Sequence, residues 1–220
     1  MTDRLESAAP IGARLRRLRK RSGISLRAVA EAVGISSSAL SQIENGVMQP
    51  SVNRLIEIVT VLQVPVAAIF DDHDVLQPVS LGSDSASEPF PGVLVAPAGA
   101  TAERTLGQGV VYRRLTPVDL VGVDLYETVY PPLASSSLDG AMLVHEGYEA
   151  GRVVSGTICF EFTEGVVELG PGASLSFWAT RPHRVVNPSP DTEAVAIWLT
   201  MRGYRALDTP SDDGGLTPVH

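Results

Sequence analysis

Six basic side chains fall within eight positions of the sequence, between Arg14 and Arg21. Clustered guanidinium and ammonium groups can bind phosphate, although a solvated helix face produces the same pattern. Residues 1–70 carry a net charge of +4 and residues 71–220 one of −12, which together give the formal −8 of the 220-residue chain. We therefore expect a protein of two parts, in which only the first suits an anionic partner.

The acidic part contains a second group of residues that could do chemistry. His145 is followed four positions later by Glu149, and a further histidine, His183, stands directly after Pro182. Turn residues surround both places, namely Gly156, Pro171, Gly172 and Pro182, and Asn187 is expected to cap a turn or a strand end. What these polar groups can bind depends on the elements that bring them together.

Composition narrows the class of protein. The hydrophobic fraction of 44% is typical of a globular chain, and no apolar stretch of 18 residues predicts a membrane span. The N-terminus lacks the pattern of a signal peptide, and the single Cys159 cannot form an internal disulfide. A cytoplasmic location is the expectation.

The basic part has the pattern of a small helical domain. Ile11, Leu15 and Leu18 mark one apolar helix face, which Gly23 ends. We predict four further short helices, the last one ending near Phe70. Their start and stop signals are Ser25, Gly34, Ser36, Asn45-Gly46, Pro50-Ser51 and Pro65. Five short helices in about 60 residues indicate a helix-turn-helix domain.

Residues 25–46, from Ser25-Leu-Arg-Ala-Val-Ala to Gln-Ile-Glu-Asn-Gly46, resemble the lambda-repressor/Cro-like (xenobiotic response element) helix-turn-helix family. The resemblance continues to Pro50-Ser51 without a gap in the central motif. It implies a bacterial-type transcriptional regulator, and it implies that Glu44 pairs with Arg19 in a structural role.

The third helix is predicted to enter the major groove N-terminus first. Gln42 is the best candidate base reader because its amide can bond adenine at two positions, the alternative being that it is merely solvated. Ser37, Ser38 and Ser41 are further candidates, and Ser36 is expected to cap the helix while neighbouring amides suit a phosphate. Phosphate contacts are predicted for Arg16, Arg17, Lys20, Arg27 and Asn45.

The rest of the chain predicts an all-β domain after a linker. We expect a helix-turn-helix domain over residues 1–72, a linker with at most one strand (92–96) over 73–104, a β-domain over 105–204 and a disordered tail over 205–220. About eight strands indicate a sandwich or barrel. They are predicted over 110–115, 122–130, 141–145, 152–155, 158–162, 166–169, 175–178 and 195–201.

The His145–Glu149 segment, with Gly156, and the later Pro182-His183 segment, with Asn187, resemble the paired motifs of the cupin family, a small β-barrel of jelly-roll type. The resemblance implies one divalent metal ion, held by His145, Glu149 and His183. Cupins commonly have a fourth ligand two residues before His145, where this chain has Leu143.

Three interpretations of the His145, Glu149 and His183 set remain open. It could hold iron for oxygenase chemistry, hold zinc, manganese or nickel with room for an effector, or form a metal-free pocket. The predicted effector pocket consists of Tyr126, His145, Glu149, Arg152, Trp178 and His183. The aromatic members of this set, Tyr126 and Trp178, could instead belong to the core of the barrel. Arg152 is equally suited to the surface or to binding an anionic effector.

A helix-turn-helix domain followed by a cupin resembles bacterial regulators, and the first cupin motif resembles the putrescine-utilisation repressor type. We therefore predict a non-enzymatic regulator that binds a double-stranded DNA operator, senses a small-molecule effector and forms a homodimer through its cupin domain, without a membrane partner. The alternative is a non-haem iron oxygenase or epoxidase that retains a helix-turn-helix domain.

Overall fold

The computed structural model describes residues 11–70, 87–98, 102–118 and 120–203. Four α-helices come first, followed by a 3-10 helix, Val66–Ile69. Eleven strands follow within the described residues. The helices are α1 (Ile11–Arg21), α2 (Leu26–Ala32), α3 (Ser37–Glu44) and α4 (Val52–Val61). The prediction of a helical domain followed by a β-barrel is confirmed, except that its fifth helix is a 3-10 turn.

Serine side chains begin three of the four α-helices at the predicted positions. The Oγ of Ser25 accepts a hydrogen bond from the Ala28 amide (3.1 Å), that of Ser36 from Ala39 (3.0 Å) and that of Ser51 from Arg54 (3.3 Å). Each cap contributes about 1 kcal/mol by satisfying an amide that the helix leaves unbonded. The sequence therefore sets where α3 begins, and with it which residues lie in its first turn.

Helix α1 crosses α3 at very short range. A Cβ added at Gly12 would stand 1.9 Å from the carbonyl oxygen of Ile43, so only glycine permits this approach. Around the crossing, the buried side chains of Leu15, Leu18 and Leu40 form the core of the helical domain. Close packing without voids fixes α3 against its neighbours.

The β-domain consists of two antiparallel sheets that face each other, plus a separate hairpin. The six-stranded sheet has the order β3-β4-β5-β11-β6-β9, the three-stranded sheet the order β10-β7-β8, and β1 pairs with β2. The strands are β1 (Ser87–Phe90), β2 (Val93–Val95), β3 (Glu103–Thr105), β4 (Val111–Arg114), β5 (Val123–Tyr130), β6 (Tyr148–Ser155), β7 (Ile158–Phe162), β8 (Gly165–Leu169), β9 (Ser174–Trp178), β10 (His183–Val186) and β11 (Ala194–Met201).

Strand register defines the inner face of the larger sheet. Glu149 is opposite Phe177 on β9, and the Phe177 ring lies 4.9 Å from the His183 ring of the other sheet. Phe160 of the smaller sheet likewise contacts Trp198 of the larger one, with ring centroids 4.8 Å apart. Because side chains alternate along a strand, this fixes which residues of β5, β11, β6 and β9 point between the sheets.

Several strand predictions differ from the structure. Residues 141–145 form no strand, because only Leu143 makes an isolated bridge, to His183. Strands β1, β3 and β10 were not predicted, and β1 to β3 lie within the span expected to be a linker. The three strands that were not predicted, β1, β3 and β10, have only three or four residues and carry charged or proline residues, so no apolar alternation marks them. The predicted tail at 205–220 and residues 73–86 of the linker lie outside the described residues.

The helical domain packs directly on the barrel. Arg104 on β3 is buried and donates to the carbonyls of Ile69 (3.2 Å) and Phe70 (3.0 Å) at the end of the 3-10 helix. The Phe70 ring stacks on Tyr126 of β5 at 5.4 Å. At a second contact, the backbone N–H of Asn53 donates to Ser136 O (2.9 Å) and its side-chain Nδ2 donates to Ala141 O (3.0 Å). We call these two contacts together the domain seam.

None of the helices described is long and apolar enough to cross a membrane.

Candidate functional sites

Helix α3 presents the predicted base-reading residues to solvent over its first two turns. Ser37, Ser38 and Gln42 are exposed, and Ser41 is half-buried. Beside this surface, Arg16, Arg17 and Lys20 of α1 and Arg27 of α2 are also exposed. A protruding helix face of hydrogen-bonding side chains with cations on its flank has the chemistry of a major-groove contact. Whether these residues contact DNA remains a prediction.

Polar contacts tie the flanking cations to the end of α3. An Nη atom of Arg16 donates to Asn45 Oδ1 at 3.2 Å, and Asn45 Nδ2 lies 3.3 Å from Ser41 Oγ. Ser36 serves as the cap of α3, so its hydroxyl is already engaged by the Ala39 amide. These bonds hold α1 and α3 in a fixed relation before any ligand arrives.

The basic run of α1 does not lie on one face. Arg14 is 2% exposed and donates from Nε to the carbonyl of Ala68 at 2.8 Å. Arg19 makes a bidentate pair with Glu44, with distances of 2.6 and 2.9 Å. The Glu44 carboxylate therefore raises the pKa of Arg19 still further. These two arginines support the packing of the domain, as the family resemblance implied for Arg19, and only the remaining cations of the run face solvent.

The three predicted metal ligands lie together in the barrel. His145, Glu149 and His183 each offer a ligand atom, and these atoms lie within 4.8 Å of one another. Glu149 projects from the inner face of β6, His183 begins β10 of the opposite sheet, and His145 stands in the loop before β6. We call these residues the ligand cluster. No other such cluster occurs among the described residues.

Backbone carbonyls orient both imidazole rings of the ligand cluster. Nδ1 of His145 lies 3.0 Å from Glu146 O, and Nδ1 of His183 lies 2.8 Å from Arg181 O. A carbonyl can only accept, so each Nδ1 carries the hydrogen. The Nε2 atom of His183 can then offer its lone pair to a metal, and that of His145 can do so once it gives up the proton that it shares with Glu149. Proteins commonly orient metal-binding histidines in this way, with one ring nitrogen donating to a carbonyl and the other facing the metal. The cluster therefore fits a divalent cation with two imidazoles and one carboxylate.

Burial and the Glu149 carboxylate act on the two histidines differently. Burial lowers the pKa of both, but Glu149 Oε1 lies 2.9 Å from His145 Nε2 and its charge and hydrogen bond leave the pKa of His145 raised. His183 has no such direct partner in Glu149, and burial leaves its pKa lowered. Near neutral pH His183 is therefore neutral, as a metal ligand must be, whereas His145 holds its proton more strongly.

We expect zinc affinity to rise with pH because of His145. Its raised pKa means that a proton must leave when the metal binds, so the apparent affinity should increase about tenfold per pH unit below that pKa and level off above it. Titration calorimetry at pH 6.0 and 7.5, in buffers of different ionisation enthalpy, measures both the affinity and the proton released. An affinity that is the same at both pH values would contradict this assignment.

The structure does not bring all predicted effector-pocket residues together. Tyr126 shares the inner face with Glu149, but its ring packs against Phe70 and Tyr112. Arg152 and Trp178 point from the opposite face of the larger sheet, since they alternate with the inward-facing Gly151 and Phe177. The strand register of β6 and β9 therefore turns those two side chains away from the ligand cluster.

Trp178 lines a different cavity. Together with Tyr148, whose hydroxyl donates to Ser176 Oγ at 2.8 Å, it borders an open groove of about 540 Å³ between β8 and β9. Phe177 reaches both the groove and the His183 ring.

Sequence reasoning missed a buried charged pair close to the ligand cluster. Asp124 on β5 is 3% exposed and forms an ion pair with Arg202. The Arg202 charge also acts to lower the pKa of His145. The alternation of Asp124, Tyr126, Thr128 and Tyr130 along β5 is the signal that could have identified Asp124 as inward-facing.

Comparisons with known proteins agree with this architecture. Residues 10–69 match the family model of a helix-turn-helix domain, and residues 129–200 match that of a cupin domain. A transcriptional regulator of the HTH_3 family from Vibrio cholerae is 24% identical, with a TM-score of 0.60 over 88% of this chain and 96% of its own. This likeness establishes the two-domain fold.

Two further solved structures align less well. The cupin domain of a regulator of the XRE family from Enterobacter cloacae is 22% identical over 44% of this chain and 100% of its own, with a TM-score of 0.38. Hydroxypropylphosphonic acid epoxidase from S. wedmorenis is 19% identical over 89% and 100%, with a TM-score of 0.41. No protein of curated function matches the chain.

The fold and the two sites define a protein in which a helix-turn-helix domain, matched over residues 10–69, is joined to a small β-barrel that matches the cupin domains over residues 129–200. This pair of domains has the fold of the Vibrio cholerae regulator over 88% of the chain.

Proposed function

We propose that this protein binds a specific DNA operator through α3 and that ligand binding in its cupin domain controls this binding. The observation that carries the proposal is the exposed, hydrogen-bonding face of α3 beside Arg16, Arg17 and Lys20. The barrel is acidic and is repelled by phosphate, so the helical domain is expected to face the duplex and the barrel to face away from it. Binding to DNA and to the effector are then linked, because a ligand that prefers one arrangement of the domains shifts its population.

Gln42→Ala should weaken binding to the selected operator by about 10- to 100-fold, since a good bidentate contact to adenine discriminates by about 1–3 kcal/mol. Selection from a pool of random 30-base-pair duplexes identifies the operator, and gel shifts at fixed salt measure the affinity. Thr60→Ala, an exposed position on α4, is the matched control and should bind as the unchanged protein does. Equal affinity for both variants would show that α3 does not read bases through Gln42.

The cupin domain supplies the sensing site of this proposal. His145, Glu149 and His183 would hold one divalent cation, which offers open coordination positions to an oxygen or nitrogen of an effector. The chain itself orients the two imidazoles through Glu146 O and Arg181 O and keeps His183 neutral by burial. Because the first cupin motif resembles that of putrescine-utilisation repressors, putrescine is the first effector to add to the gel shift.

We infer that two copies act together through their cupin domains, in the cytoplasm where the operator lies. A single helix-turn-helix domain contacts too little DNA to bind tightly, and such domains commonly bind two half-sites one helical turn apart. Strand β8 forms an edge of the smaller sheet and exposes Val166 and Val167, which suits pairing across a two-fold axis. Sedimentation equilibrium of the full chain tests this, and a monomer at micromolar concentration would refute it.

A second candidate function is oxygenase chemistry, which the two-histidine, one-carboxylate composition of the ligand cluster favours. Loading the protein anaerobically with ferrous iron and then measuring oxygen consumption tests it. Sustained consumption that Glu149→Gln abolishes would support an enzyme. Iron binding without turnover, together with specific DNA binding, would support the regulator.

A further inference from the structure

The ligand cluster and the helical domain share a neighbour, Asp124. Its carboxylate accepts from the Tyr126 hydroxyl at 3.0 Å and forms an ion pair with Arg202. The ring of the same Tyr126 stacks on Phe70, at the end of the 3-10 helix of the helical domain, with ring centroids 5.4 Å apart. A barrel carboxylate that is 3% exposed is therefore linked to the helical domain through one side chain, Tyr126.

Strand register places Asp124 and the ligand cluster in one row. Asp124 on β5 is opposite Thr200 on β11, and Thr200 is opposite Glu149 on β6. With neighbouring strands about 4.8 Å apart, the Cα atoms of Asp124 and Glu149 are separated by about 10 Å across the inner face. At this range buried charges act on each other with little screening.

The charged groups along this row also act on one another. Burial raises the pKa of Asp124, whereas the charges of Arg202 and His145 both lower it. Arg202 and His145 in turn act on each other as like charges. A change of charge in the ligand cluster is therefore felt by both members of the Asp124–Arg202 pair.

We propose that Asp124 couples occupancy of the ligand cluster to the docking of the helical domain. This coupling rests on the function proposed above and explains how binding in the ligand cluster reaches the helical domain. With a divalent cation in the cluster, the Asp124 carboxylate would be drawn toward the added charge and the Arg202 guanidinium away from it, so Asp124 would hold the Tyr126 hydroxyl less strongly. The Phe70–Tyr126 stack lies next to this bond, so the seam loosens there, and the helix-turn-helix domain gains freedom relative to the barrel.

Hydrogen exchange at single amides tests the coupling in the full chain. After removal of metals with a chelator, saturating zinc should accelerate exchange at the Ala67 and Phe70 amides at least fivefold. Asp124→Asn, which keeps the shape but removes the charge, should reduce the zinc effect to less than twofold while zinc still binds. Asp139→Asn is the matched control. Asp139 also bridges the two domains, because it pairs with Arg54 at 3.2 Å, but it does so beside the second contact of the seam. This variant should keep the full zinc effect.

Each outcome decides the proposal. Zinc that binds without changing exchange at Ala67 and Phe70, or an Asp124→Asn variant that responds fully, would overturn the coupling alone. A flat calorimetric titration with zinc would overturn both the metal site and the coupling, while the gel shift still tests DNA binding separately. If Asp124→Asn does not fold, Arg202→Gln decides: a lost zinc effect supports the coupling, and a retained one refutes it.

Discussion

Glu44→Ala should lower the free energy of unfolding of the helical domain by about 3 kcal/mol, because it leaves a buried guanidinium without its carboxylate. The side chains of Arg19 and Glu44 are only 12% and 4% exposed, and two hydrogen bonds join them. Arg19 also donates to the carbonyl of Ile24 at 3.2 Å, which fixes the turn before α2. One substitution thus disturbs the packing of α1, α2 and α3 together.

Urea unfolding followed by circular dichroism at 222 nm measures this loss, with Glu31→Ala as the control. Glu31 is an exposed glutamate on α2, and its replacement should change the free energy of unfolding by less than about 0.5 kcal/mol. The double replacement Arg19→Met with Glu44→Leu should recover most of the stability, since an apolar pair avoids the cost of burying charge. If Glu44→Ala and Glu31→Ala unfold alike, the ion pair does not stabilise the domain.

The sequence predicted the helical domain well because its signals are local. A serine cap or a glycine stop acts within one helical turn, so Ser25, Ser36 and Ser51 mark helix starts without knowledge of the rest of the fold. The division of the basic run was not predictable in the same way. Helical spacing places Arg14 on the apolar face, three residues after Ile11, but it does not show that a guanidinium there is buried, and the packing of α1 on the 3-10 helix is what buries Arg14 against Ala68.

In the cupin domain, the site residues could be predicted but the faces and long-range contacts of the strands could not. The resemblance identified His145, Glu149 and His183, and the structure brings them together. The faces on which Arg152 and Trp178 lie depend on how β6 pairs with β9 and on which side the second sheet covers, and neither can be read from local sequence. β6 begins at Tyr148, four residues earlier than predicted. The domain seam was missed because its bonds, such as Asn53 to Ala141, join residues far apart in sequence.

Glu149→Gln should reduce zinc affinity more than 100-fold while leaving the barrel folded. Loss of an outer partner of a metal ligand typically costs 10- to 100-fold, and this change removes the only anionic ligand of the cluster. The amide keeps the shape of the side chain on the inner face of β6, so Phe177 and His183 should remain packed against each other. The predicted loss therefore reports on charge and not on unfolding.

Titration calorimetry with zinc in the unchanged protein, in Glu149→Gln and in Glu168→Gln measures this difference. Glu168 is exposed on β8, so its replacement should leave the affinity within about twofold because a distant surface charge is screened. His183→Ala should lose affinity to a similar degree as Glu149→Gln, since it removes the neutral imidazole of the opposite sheet. Zinc binding that survives both changes would mean that the metal sits elsewhere, and the cluster would then be a pocket in which Glu149 serves to hold a protonated His145.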